Sequence, residues 1–61
     1  MSELQKKELV KKIFDYRKRI DKNHNDSEGY YELAGSYWKL GLHKEAIKYF
    51  KKVLNFSPHN H

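Results

Sequence analysis

The stretch "YYELAGSYWKLGLHKEAIKYFKKVLNFSP", residues 30–58, fills almost half of a 61-residue chain and carries two apolar-striped segments that meet at Gly41. In the first segment Tyr30, Leu33, Ala34 and Tyr37 fall on one face of a 3.6-residue period, which predicts a helix over about residues 27–40. Asp26 or Ser27 is placed to cap its start. Gly41 supplies the left-handed residue at which helices commonly stop. The second segment predicts a helix over about residues 43–56, with Ala46, Phe50 and Val53 as the seam towards its neighbour. Pro58 ends it, because proline lacks a backbone donor and disfavours helical geometry in the residue before it. A connection of two or three residues around Gly41 forces the two helices to run antiparallel.

Upstream, "SELQKKELVKKIFDYRKRIDK" predicts a third helix over about residues 3–22. Ser2 and Gln5 have the spacing of a capping box, and Leu9, Ile13, Tyr16 and Ile20 share one face. Glu8 with Lys12 and Asp15 with Arg19 stand at i,i+4, so part of the charge is expected to pair locally. "NHND", residues 23–26, breaks the pattern with turn-favouring residues. The fold class is all-α, three helices, with residues 1–26 as an N-terminal helix and linker and residues 27–60 as a helical hairpin.

Composition narrows the function classes. A chain this short buries only about 60% of the surface of its unfolded form, so its stability is marginal without help. It has no cysteine, which removes disulfides, thiolate metal sites and thiol nucleophiles, and suits a reducing compartment. The cytoplasm is the expected location. No apolar run reaches the length of a membrane span, and the first twelve residues lack the apolar centre of a signal peptide, so a soluble chain is expected. The net charge of +5 is concentrated at the front: residues 1–22 hold eight Lys or Arg against four Asp or Glu, and the remainder holds five against four.

Written as a pattern, Tyr30-x2-Leu33-Ala34-x2-Tyr37, Ala46-x3-Phe50 and Pro58 resemble the tetratricopeptide repeat, whose signature is W-x2-L-G-x2-Y, A-x3-F and a closing proline in a period of about 34 residues. The departures are a tyrosine for the leading tryptophan and an alanine for the small glycine. Ala34 and Ala46 are small where the helix axes must come close, and Leu33, Tyr37, Phe50 and Val53 supply bulk between them. A shift of 34 residues sets Ile13 on Ile47, Tyr16 on Phe50 and Ile20 on Leu54, but also Lys12 on Ala46 and Arg19 on Val53. Long charged side chains do not suit a tight helix contact, so the first helix reads as an amino-terminal cap.

The resemblance implies a non-catalytic module that binds a protein or peptide, with the first helix of the hairpin lining a groove. The corresponding positions are Glu28, Tyr31, Glu32, Gly35, Trp38 and Lys39. Tyr31, Gly35 and Trp38 lie on one helix face, so two aromatic rings flank bare backbone. Gly35 costs about 1 kcal/mol relative to alanine inside a helix, which implies either that the first helix packs against it or that a ligand does. Some family members clamp terminal carboxylates with basic side chains here; Glu28 and Glu32 oppose such a ligand.

Chemistry has little footing in the sequence. His24, His43, His59 and His61 lie in turns or the tail without a nucleophile or carboxylate pair, and no cofactor or metal site is indicated. Lys44, Lys48, Lys51 and Lys52 on the third helix, continued by the basic first helix, make nucleic acid the alternative partner class. Self-association is the expectation for the third helix, whose apolar arc is wider than one neighbour covers. Ile47 and Leu54 extend it on one side and Tyr49 and Phe56 on the other, with Val10 and Phe14 of the first helix placed to join a dimer contact.

Overall fold

The computed structural model describes residues 2–56, which form three helices in the order α1 (Glu3–Lys22), α2 (Ser27–Lys39) and α3 (His43–Phe56). The sequence expectations for Pro58, His59, Asn60 and His61 lie outside the described residues. The described part is all-α, as the periodicities require.

Each helix end has a local cause. At the start of α1 the Ser2 hydroxyl accepts from the Gln5 backbone N–H at 3.2 Å, and the Gln5 side chain accepts from the Ser2 N–H at 3.0 Å. Asp26 rather than Ser27 caps α2, its Oδ1 accepting from the Gly29 N–H at 2.9 Å. At the other end of α2 Leu40 is the capping residue, and Gly41 follows with φ of 84°, in the left-handed region. Gly41 N–H then donates to the Trp38 carbonyl and Leu42 N–H to the Tyr37 carbonyl, each at 2.9 Å, which satisfies two carbonyls that the helix leaves open.

Helix α2 lies between the other two, and its backbone packs against both α1 and α3. Its antiparallel pairing with α3 is read from the aromatic contacts, in which early residues of one helix meet late residues of the other. Tyr30 meets Phe56 with ring centroids 5.3 Å apart, Tyr31 meets Phe50 at 5.9 Å, and Tyr37 stacks on Tyr49 at 5.6 Å. Leu33, Ala34 and Ala46 are fully buried, Leu33 being the largest of them. Burying one leucine contributes about 1.5–3 kcal/mol. Leu9, Ile13 and Ile20 of α1 are buried on the other side of α2, and Ile13, Ile20 and Leu33 form one cluster against which Tyr16, Tyr30, Tyr37, Leu40 and Tyr49 pack.

The i,i+4 pairs expected on α1 do not form. Among the described residues the ion pairs are Arg19 with Asp26 at 3.0 Å and with Glu28 at 3.7 Å, and neither Glu8–Lys12 nor Asp15–Arg19 is present. Arg19 reaches forward because Asp26 is already held in place by capping α2, whereas Asp15 stands exposed on the helix face, where an ion pair gains little.

Candidate functional site

The two neighbours of α2 use two parts of its circumference and leave a third open. Towards α1 it presents Gly29, Leu33 and Ser36, all buried and spaced four and three apart. A Cβ on Gly29 would lie 3.0 Å from Cγ2 of Ile20, so a glycine lets the two helices meet there. The Ser36 hydroxyl is turned back on its own helix and donates to the Glu32 carbonyl at 3.0 Å. Towards α3 it presents Tyr30, Ala34 and Tyr37. The remaining face carries Glu28, Tyr31, Glu32, Gly35, Trp38 and Lys39, the six positions marked from the sequence.

That face is open. A Cβ built on Gly35 would find nothing within 4 Å, and the rings on either side of it, Tyr31 and Trp38, are 56% and 50% exposed. The idea that α1 packs on Gly35 is therefore corrected: the glycine that α1 needs is Gly29, six residues earlier. Two rings are nonetheless fixed by α3. Tyr31 meets the edge of Phe50, and Trp38 lies against the His43 ring with centroids 4.2 Å apart. Such aromatic pairs contribute about 0.5–1.5 kcal/mol each beyond their buried area and reduce the rotamers the rings sample. Gly35, Trp38, Lys39 and Phe50 together line a shallow depression of about 420 Å³. Leu9 and Lys12 of α1 border the same face on its other side.

Charge runs along this face. Glu28 and Glu32 stand near its amino-terminal end and Lys39 at its carboxyl end, with Lys12 of α1 nearby. Glu28 is partly neutralised by Arg19. Glu32 and Lys39 enter no ion pair among the described residues. The arrangement offers an apolar middle, accessible backbone and a charge of each sign without an ion pair among the described residues. Among the described residues no three His, Cys, Asp or Glu side chains come together as metal ligands, and no helix is long and apolar enough to cross a membrane.

The residues assigned to self-association divide into two sets. Val10, Phe14, Ile47 and Leu54 are exposed, Leu54 most of all at 66%. Tyr49 and Phe56 are not free: both are half-buried inside the hairpin, Tyr49 stacked between Tyr30 and Tyr37 and Phe56 against Tyr30. The outer arc of α3 is thus narrower than the helical wheel suggests, because the long tyrosine side chains of α2 reach around to cover one flank. Burial, with Tyr49 beside it, raises the pKa of Tyr37 above its ordinary value. Of the four lysines on α3, Lys48 and Lys52 lie over the rings of Tyr49 and Tyr30, at 5.6 and 5.9 Å from the centroids.

The sequence reading missed Gly29 and Ser36. Their signal was present as a small–Leu–small spacing through Leu33, in register with Ile20, but the more prominent Tyr30 stripe drew the reading to the opposite flank. A family model described as tetratricopeptide repeat matches residues 27–60, which is 34 of the 61 residues. No curated protein and no solved structure matches the chain.

Proposed function

The chain belongs to the tetratricopeptide repeat family, and from that premise we propose that it is a non-catalytic protein-interaction module whose contact surface is the open face of α2. The observation that carries this reading is Gly35. A glycine inside a helix costs about 1 kcal/mol relative to alanine, and here no neighbour among the described residues needs the missing side chain. Its use is external. Flanked by Tyr31 and Trp38, it lets the backbone of α2 come close to an extended or helical segment of a partner protein while two rings grip either side. Glu28 and Glu32 make an acidic terminus an unfavourable ligand at this end, whereas Lys39 suits a carboxylate at the other.

The partner is a protein or peptide; the nucleic-acid alternative has the thinner support, since two of the α3 lysines are drawn over tyrosine rings of the hairpin. A second surface, Ile47 and Leu54 on α3, supports self-association or contact with a further helix. The equivalent residues 34 positions earlier, Ile13 and Ile20, are the ones that α2 buries on α1.

Peptides selected from a random displayed library against the folded chain test the main reading. Amide chemical shifts on binding are expected to move at Tyr31, Gly35, Trp38 and Lys39. Shifts confined to the outer side of α1 or α3, or a library that yields no binder, contradict it.

A further inference from the structure

Given that the open face of α2 is the contact surface, its pattern says more than that something binds. We infer that the partner it fits is a second copy of this chain, docked through α2 against α2 in antiparallel fashion about a two-fold axis at Gly35. A two-fold contact is self-complementary, so a residue a given distance before the axis must suit the residue about the same distance after it on the other copy. The face of α2 meets this condition. At 100° per residue Tyr31 and Trp38 stand on one flank of Gly35, so the antiparallel two-fold sets Tyr31, four residues before it, against Trp38 of the second copy, three residues after, ring against ring. Glu32 and Lys39 stand on the other flank, so the same operation sets Glu32, three before Gly35, against Lys39 of the second copy, four after. By symmetry each of these contacts occurs twice.

The charges explain why the second copy must run antiparallel. Glu32 and Lys39 are the two face residues that find no ionic partner among the described residues. A parallel copy would set Glu32 near Glu32 and Lys39 near Lys39, and an antiparallel copy sets acid against base at both ends. Gly35 at the crossing point has open space over its α-carbon, so two helix backbones can approach there more closely than any side chain would permit. Because α1 and α3 cover the flanks carrying Gly29, Leu33, Tyr30 and Tyr37, the docking face is left free by the fold.

Charge reversal tests the pairing. Sedimentation equilibrium from low to high micromolar concentration, with helicity of the same samples followed by circular dichroism, compares the unaltered chain with Glu32→Lys, Lys39→Glu and the double variant. Each single reversal is expected to weaken dimerisation by about tenfold or more, since like charges then face each other at two symmetric places. The double variant restores the complementarity with its polarity inverted and should recover the affinity. Gly35→Gln, which favours the helix and fills the crossing point, should abolish the dimer while leaving helicity intact. A chain that stays monomeric at all concentrations overturns the inference, and so does a dimer that ignores these changes but is lost on Leu54→Glu. A monomer that still selects library peptides mapping to Tyr31 and Trp38 overturns the second-copy inference alone and leaves the proposed contact face standing.

Discussion

Arg19, at the end of α1, grips the residue that begins α2: its Nε and Nη2 each lie 3.0 Å from Oδ2 of Asp26. The other oxygen of the same carboxylate, Oδ1, caps α2 through Gly29. One side chain therefore starts a helix and ties it to the preceding one. The Gly29 N–H, together with Arg19, lowers the pKa of Asp26. A carboxylate whose folded-state pKa lies below its unfolded value, about 3.9, stabilises fully above that value and loses the effect as pH falls through the folded-state pKa. Thermal melts across the acid range should show this loss in the unaltered chain and not in Asp26→Asn. At neutral pH Asp26→Ala should lower the melting temperature more than Asp26→Asn, whose amide oxygen still caps.

Gly29 and Gly35 lie on the same helix and should respond oppositely to alanine. At Gly29 a Cβ meets Ile20 at 3.0 Å and the Asp26 carboxyl at 3.1 Å, so overpacking, typically about 1–3 kcal/mol, outweighs the gain in helix propensity. At Gly35 nothing stands within 4 Å, and Gly35→Ala should raise stability by up to about 1 kcal/mol. Urea unfolding at a concentration where the chain is monomeric measures both. Equal effects at the two glycines would show that α1 does not cross α2 at Gly29.

Ala46 is fully buried between α2 and α3. Ala46→Leu should separate the helices and cost about 1–3 kcal/mol. An unchanged midpoint of denaturant unfolding would show that the helices do not meet closely at that residue.

The raised pKa of Tyr37 predicts an alkaline limb to the stability profile. Burial favours the neutral phenol, so its contribution is complete below the unfolded-state value, about 10, and is lost as pH rises through the higher folded-state value. Tyrosinate absorbance followed together with helicity should show unfolding coupled to ionisation. In Tyr37→Phe that coupling should be reduced.

The hairpin and its turn were legible in the sequence because they depend on local rules: the stripe of Tyr30, Leu33, Ala34 and Tyr37, a cap at Asp26 or Ser27 and the left-handed Gly41. The six positions of the open face came from the resemblance to the repeat, and they stand on the part of α2 that its two neighbours leave uncovered. What the sequence did not reveal came from side-chain reach across helices. A helical wheel places Tyr49 and Phe56 on an outer flank, but it does not include the rings of Tyr30 and Tyr37 that cover them. Arg19 likewise stands at helix spacing from Asp15, yet pairs with Asp26 across the turn. Nor could spacing decide which of two glycines α1 would use, because that depends on the angle at which the helices cross.

Trp38 is the only tryptophan in the chain and sits on the open face at 50% exposure, so it reports directly on whether that face receives a partner. Acrylamide quenching of its fluorescence, measured free and then bound, either to a library-selected peptide or at a concentration where sedimentation shows association, is the most direct test. The account predicts that quenching falls on binding and that the emission moves to shorter wavelength. Binding that leaves Trp38 as accessible as it is in the free chain would contradict the assignment of α2 as the contact surface.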